Sequence, residues 1–297
     1  MTSNLTRREA LLGLASSAAA LAANPSAPTI ESHVHLFDPA RVPYAPDAPD
    51  KPAAYTLEDH LKLVESAGLA HSIIVHPEPY QDDHRYVEYC LAHEPTPGYF
   101  KATCMFDPLR EDTPARLRAL SDRWPGRIVA LRIHEMSMTS ESVGPIRNRD
   151  MKDPRMLACW RAAAAIGMAV QMHFIPGQTP GIRSLVQRFP ETTVILDHMG
   201  RPGQGTDEEY REVLKLAEQP RVILKFSGWE YYKGDLALLT RRLYDTFGPD
   251  RMIWGMLGNK PEDYKKQAAR FDELLVFASE ADRARIRGGN TQRLFFR

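Results

Sequence analysis

Eight short apolar runs, separated by stretches with helical periodicity, constrain this chain more than any other feature. They lie at 29–35, 72–76, 99–106, 128–134, 169–173, 193–198, 222–227 and 252–255. Each is almost continuously apolar, as expected of strands covered on both faces in a parallel sheet. Between them, Leu57, Leu61 and Val64 mark one helix face. Leu117, Leu120 and Trp124 mark another, and Phe271, Leu274, Leu275 and Ala278 a third. Pro97-Gly98, Pro125-Gly126, Pro176-Gly177 and Phe247-Gly248-Pro249 punctuate the units. Strand and helix in repeated alternation predict parallel βαβ units. An open doubly wound sheet and a closed barrel both satisfy that pattern. The count of eight, with no glycine-rich turn after the first run to hold a dinucleotide phosphate, predicts an α/β fold of the (β/α)₈ TIM-barrel type. A length of 297 residues suits one such domain.

The N-terminus is of another kind. Residues 1–8 are polar and end in Arg7-Arg8, residues 10–23 are apolar and alanine-rich, and Asn24-Pro25-Ser26 breaks the run. A basic region, a short apolar region and small residues predict an export signal over 1–23, too short to anchor stably in a bilayer. The stretch from Thr6 to Leu12 resembles a twin-arginine signal, without its usual Phe. It implies export of the folded protein to the periplasm, with ordinary secretion or a surface amphipathic helix as alternatives. Cleavage after Ala22 or Ala23 would leave a domain of 24–297. Basic and acidic residues balance at 38 each, which gives no reason to expect nucleic acid or an anionic membrane as partner. A small substrate, anionic or polyhydroxy, is the expected partner, and nothing in the sequence sets the oligomeric state. Cys90, Cys104 and Cys159 show neither zinc-knuckle nor redox spacing. Cys104 and Cys159 sit in apolar stretches and read as core residues, although the count leaves room for one bridge.

Six histidines stand at or near the ends of predicted strands: His33, His35, His76, His134, His173 and His198. In a barrel these ends converge on one mouth, where active sites are built. Residues two apart on a strand share a face, so His33 and His35 aim together, as do Arg132 and His134. The long segments 39–52 and 135–154 follow the first and fourth runs and belong to the same end of the barrel. Arg132, Lys225, Arg201 and Lys260 are candidate cations for holding a substrate, with Tyr44, Trp229, Tyr231 and Tyr232 as aromatic walls. A core histidine already satisfied by hydrogen bonds is the competing reading for His76 and His134, and a buried ion pair for Arg132.

Four segments carry a resemblance. Glu31-Ser32-His33-Val34-His35-Leu36-Phe37-Asp38-Pro39 resembles the opening of the amidohydrolase-related group that includes pyrone and muconolactone hydrolases. Val194–Pro202, with Asp197-His198-Met199-Gly200-Arg201 at its centre, resembles the group's strand-six motif. Leu224-Lys225-Phe226-Ser227-Gly228 resembles its seventh strand, and the stretch from Gly288 to Phe295 its C-terminal signature. The resemblance spans Ile30 to Leu294 and implies a hydrolase that opens a small carboxylated or sugar-type lactone with an activated water. It implies that His33, His35, His173 and His198 are catalytic. In metal-dependent relatives the first three would help bind a divalent ion, zinc first among them. In the pyrone lactonase type no metal is required, and the histidines polarise the lactone carbonyl. Arg132, His134, Lys225 and Arg201 are the expected substrate-binding set.

One departure matters. The group's eighth strand ends with an Asp that activates water, and Leu257 stands at that position. Leucine accepts no proton and binds no metal. Glu262 and Asp263 follow Pro261 and read as favourable charges at a helix N-terminus. Three histidines holding an ion with an open position suffice to activate water, with His198 as general base. Without an ion, His198 and Asp197 remain, Asp197 more as an orienting group. Loss of the strand-eight carboxylate equally predicts a non-catalytic binding barrel. A decarboxylase of the same superfamily is a further alternative.

Overall fold

A computed structural model of the chain describes residues 27–48, 50–135, 150–256 and 261–297. The predicted export signal, most of the loop after the fourth strand, and Leu257, Asn259 and Lys260 lie outside the described residues.

All eight predicted strands form. They are β1 (Ile30–Val34), β2 (His71–Ile74), β3 (Phe100–Met105), β4 (Ile128–Glu135), β5 (Ala169–Phe174), β6 (Val194–Leu196), β7 (Val222–Phe226) and β8 (Met252–Trp254). Each is followed by a helix: α1 (Leu57–Ala67), α2 (Arg85–Ala92), α3 (Thr113–Arg123), α4 (Pro154–Ala165), α5 (Thr179–Arg188), α6 (Asp207–Leu214), α7 (Leu236–Phe247) and α8 (Pro261–Leu274). Two short helices, α9 (Glu280–Ala284) and α10 (Asn290–Phe295), close the chain. Neighbouring strands pair in parallel in sequence order from β1 to β8, which makes a nearly closed (β/α)₈ barrel. Where β8 meets β1 the join runs through side chains. The Ser32 hydroxyl donates to the Trp254 carbonyl, and the Met256 N–H donates to both Glu31 oxygens at 2.9 Å. Gly255 permits this approach, since a Cβ there would stand 2.7 Å from the Cβ of His33.

The helices begin and end where local chemistry dictates. Thr56 caps α1 and exchanges hydrogen bonds with Asp59, and Gly68 ends the helix at φ +63°. Loss of such a cap costs about 1 kcal/mol. Leu57 and Leu63 face the strands, and Leu117 and Leu120 do so from α3. Outward-pointing strand residues such as Val170, Leu196 and Leu224 meet these helix faces in one continuous core. Cys90, Cys104 and Cys159 are buried in it as free thiols. Glu262 and Asp263 lie in the first turn of α8, where their charge suits the helix end. No helix among the described residues is long and apolar enough to cross a membrane.

The barrel interior is layered. Its floor is apolar: Ala130, Ala169, Ile195, Ile223 and Ile253 pack together over Leu294 and Phe295. The C-terminal segment seals this end. The Asn290 side chain donates to the carbonyls of Pro249 and Met252, and Gly288 lies so close to Pro28 that a Cβ would overlap its carbonyl. Two residues beyond the floor the interior becomes polar, with Arg132, Gln171, Asp197 and Lys225 all buried. Period-two alternation thus lifts a charged layer toward the C-terminal mouth.

Candidate active site

Asp197 is the hub of the polar layer. It follows β6, is fully buried, and accepts from Gln171 Nε2 at 2.9 and 3.0 Å and from Arg132 Nε at 3.3 Å. Lys225 Nζ lies 3.5 Å from it. Burial works against its charge, but Lys225, His198 and Arg132 together hold it below the usual carboxylate range. Asp197 is therefore an orienting anion. Burial pushes the Lys225 ammonium down to about 8, with Asp197 pulling the other way. Lys225 donates to the Ser32 carbonyl at 3.1 Å and faces His33 Nδ1 at 3.3 Å. It is buried against His33 with its donors engaged.

His33, His35, His173 and His198 converge. Ring centroids are 4.9 Å apart for His33 and His35, 4.8 Å for His33 and His198, and 5.4 Å for His173 and His198. Burial first, then neighbouring cations, pushes His33 and His173 well below the ordinary imidazole range, and burial lowers His35 and takes His198 to about 3. All four are neutral near pH 7, so each ring offers one donor and one acceptor. An ammonium only donates, so Lys225 makes His33 Nδ1 an acceptor and places the proton on Nε2. His35 Nδ1 donates to the Val75 carbonyl at 2.8 Å, which leaves its Nε2 bare to accept from His33 Nε2 at 3.1 Å. His198 Nδ1 meets the Ser227 hydroxyl at 3.0 Å.

The turn that carries His198 is strained. His198, Met199 and Arg201 all have positive φ, with Gly200 among them. Left-handed backbone costs roughly 1–2 kcal/mol per non-glycine residue, and such strain persists where function holds it in place. It folds Arg201 back over the mouth. There the guanidinium donates to His173 Nε2, and to Gln204 at 2.7 Å. Arg201, His198, Gly228, Tyr231 and Tyr232 line a small cavity at this end. Trp229 instead packs on Phe226 at 4.9 Å.

Two carboxylates missing from the sequence reading complete the site. Glu31 is fully buried and accepts from the amides of His33 and Met256, tying β1 to the end of β8. Burial pushes its carboxyl up to about 8. Glu78 lies in the turn after β2. Its Oε1 takes a hydrogen bond from Arg132 Nη1 and lies 3.1 Å from His134 Nε2. Burial opposes its charge, but Arg132, His134 and His35 hold it well below the usual carboxylate range. His134 thus belongs to the site, stacked on His173 at 4.1 Å. His76 does not: its Nε2 donates to the Gln81 carbonyl at 2.7 Å and its ring stacks on His84. It is the hydrogen-bonded core histidine of the competing reading.

The metal-dependent type of the resemblance would use His33, His35 and His173, and in this structure each of these rings has another partner. His33 carries its proton on the Nε2 that a ligand would need bare. His173 Nε2 is turned to Arg201, a cation that would repel a second one. The described groups with ligand atoms mutually within 4.8 Å are His33, Asp197 and His198, and Asp197 is already occupied by Gln171 and Arg132. Of the three cations here, Arg132 and Lys225 are paired with Asp197 and Glu78, and Arg201 stands beside His173.

Comparisons agree with this architecture. The family model for amidohydrolases matches residues 30–297. The 4-sulfomuconolactone hydrolase of Rhizobium radiobacter is 25% identical over 235 residues, 76% of this chain and 73% of that protein. The 2-pyrone-4,6-dicarboxylate hydrolase of Comamonas testosteroni is 27% identical over 287 residues, covering 86% of each. Among solved structures, a probable 2-pyrone-4,6-dicarboxylic acid hydrolase of Acinetobacter baumannii with citric acid bound superposes with a TM-score of 0.73 at 17% identity, covering 91% of this chain and 99% of that one. An amidohydrolase of Burkholderia multivorans with zinc bound superposes at 0.69 and 19% identity, with the same coverage.

Proposed function

The chain belongs to the amidohydrolase family, and from that premise we propose that its mouth opens a small carboxylated lactone by addition of water. The observation that carries this reading is Arg201, folded over the neutral histidines by the strained turn after β6. A substrate carboxylate would bind Arg201, releasing His173. The lactone carbonyl would then lie over His33 and His198, and the His33 N–H would turn from His35 to polarise it as negative charge develops on the oxygen. Lys225 acts through His33, keeping its proton on the side that faces the mouth. Arg132 supports Asp197 and Glu78 from below. Curated relatives named for sulfomuconolactone and pyrone dicarboxylate hydrolysis carry anionic groups on the ring in their names, which favours an acidic lactone over a neutral sugar lactone. We place the protein in the periplasm on the strength of its N-terminal sequence.

The role of metal follows from the donor set. The protonated Nε2 of His33 and the bond from Arg201 to His173 support a metal-free reaction of the pyrone lactonase kind. The test is to incubate the protein with carboxylated five- and six-membered lactones and follow acid release. Saturable ring opening is expected. Binding without turnover would favour the non-catalytic barrel, and release of carbon dioxide the decarboxylase.

A further inference from the structure

Three cavities among the described residues meet at one side chain. The small cavity at the mouth, a cavity of about 370 Å³ between α6 and α7, and one of about 560 Å³ between α7 and α8 have Tyr232 in common and no other residue. We propose that the Tyr232 ring sets the size limit of the substrate by walling the mouth off from the cavity between α6 and α7; this rests on the lactone-hydrolase reading above. The protein then takes compact acidic lactones and excludes those whose ring carries an arm on that side.

The ring is held as a fixed boundary. Tyr232 follows the single helical turn Trp229–Tyr231, and its N–H donates to the Trp229 carbonyl at 3.1 Å. Trp229 is buried against Phe226, which secures the base of that turn. Two glycines flank the ring. A Cβ at Gly203 would stand 3.6 Å from Cδ2 on one edge. A Cβ at Gly234 would overlap the hydroxyl and crowd Cε1 on the other, so a bare glycine there leaves the ring its place. Packed along both edges, the ring meets an incoming arm as a clash, and a clash discriminates by excluding the wrong ligand.

Removing the ring would join the mouth to a cavity with a distinct character. Pro202 and Tyr232 line both spaces, and of the two Tyr232 is the larger obstacle. Tyr210 and Leu239, both buried, give the outer cavity an apolar side. The Tyr210 hydroxyl donates to the Met199 carbonyl at 2.7 Å, which ties that side to the strained turn carrying Arg201. Arg211 from α6 and Arg242 from α7 line the cavity without an acid partner among the described residues, against one lining acid, Asp207. An arm with an apolar stem and a terminal carboxylate therefore fits the space that the ring closes off.

The experiment compares wild type, Y232A, Y232V and Y232F on a six-membered lactone with one ring carboxylate and on its isomers carrying a carboxypropyl arm at one further ring carbon. The readout is the ratio of kcat/KM for the best long lactone to that for the bare one. A single methylene that a pocket accepts or rejects changes kcat/KM by about 10–200-fold, so Y232A and Y232V should each raise the ratio by about 10-fold or more. Y232F should keep the wild-type ratio, since the ring makes the wall and not the hydroxyl. Adding R242Q to Y232A should return part of the gain, because it removes a cation from the opened cavity at an exposed position. A wild type that opens the long lactones as readily as the bare one overturns the inference and leaves the lactonase reading standing. So does a ratio that Y232A and Y232V leave unchanged, a Y232F ratio as high as that of Y232A, or a gain that R242Q does not touch. Calorimetry with the corresponding cyclic ether acids, which lack the carbonyl, repeats the comparison as a ratio of Kd values. Failure of wild type on every lactone overturns the lactonase reading, and the calorimetric ratio then still decides whether Tyr232 is the wall.

Discussion

Replacing Asp197 by Asn removes the anion around which the polar layer is built, at nearly constant shape. Arg132 stays protonated but keeps Glu78 as partner. Lys225 has no second carboxylate within ion-pair distance among the described residues, but it has a way out. Its pKa of about 8 means that at pH 7 it sheds its proton for roughly 1.4 kcal/mol, one pH unit's worth. Breaking a buried pair usually costs about 3–5 kcal/mol. With that release route, Asp197→Asn should cost about 2–3 kcal/mol at pH 7. The sign of the pH dependence follows. Above pH 8 Lys225 is neutral in both folded proteins and contributes nothing to the difference. Below 8 it is charged in wild type and driven neutral in the variant, so the deficit grows by about 1.4 kcal/mol per unit as pH falls toward 6. Denaturant midpoints of both proteins at pH 6, 7 and 8 measure this. A deficit that is flat across the range, or under about 1 kcal/mol at pH 7, would refute the coupling of Asp197 to Lys225.

Three further outcomes are expected. Burial pushes His60, held between Tyr55 and Ser72, down to about 4; because the unfolded chain binds the proton more readily, stability should fall by up to about 3 kcal/mol from this residue as pH drops from 6.5 toward 4, and His60→Gln should flatten part of that slope in acid-unfolding curves. Gly255→Ala should cost about 1–3 kcal/mol by chemical denaturation, since its methyl would meet the His33 Cβ at 2.7 Å, and unchanged stability would show that the strands do not approach so closely. Dialysis against a chelator should leave lactone turnover intact, and activity lost and then restored by zinc would contradict the proton placement on His33.

The barrel was legible because its signal is periodic. Eight apolar runs and their intervening helix faces specify strand and helix directly, and all eight strands form where the pattern puts them. The histidine set was legible for the same reason, since strand ends in a barrel share one mouth. Gln171 was within reach of the same rule, standing two residues before His173 on one face of β5, but an amide carries no chemistry that draws notice. Glu78 carries no periodic signal: it follows His76 and Pro77 in a turn held by contacts distant in sequence, among them the Ala45 amide on the Pro79 carbonyl and the Asp38 amide on the Tyr80 hydroxyl. Lys225 shows the converse limit. Its strand position correctly puts it inside the barrel, yet depth along the strand, which sequence alone does not scale, decides that it lies beside His33 and Asp197.

The central claim is that a cationic mouth of neutral histidines opens an acidic lactone, and the most direct measurement compares kcat/KM for a carboxylated lactone with that for its methyl ester. A charged hydrogen bond to Arg201 contributes about 1.5–3 kcal/mol, so the free acid should be preferred by roughly 10–150-fold, and Arg201→Met should erase the preference. Equal turnover of acid and ester, or a preference that survives in Arg201→Met, would contradict the account.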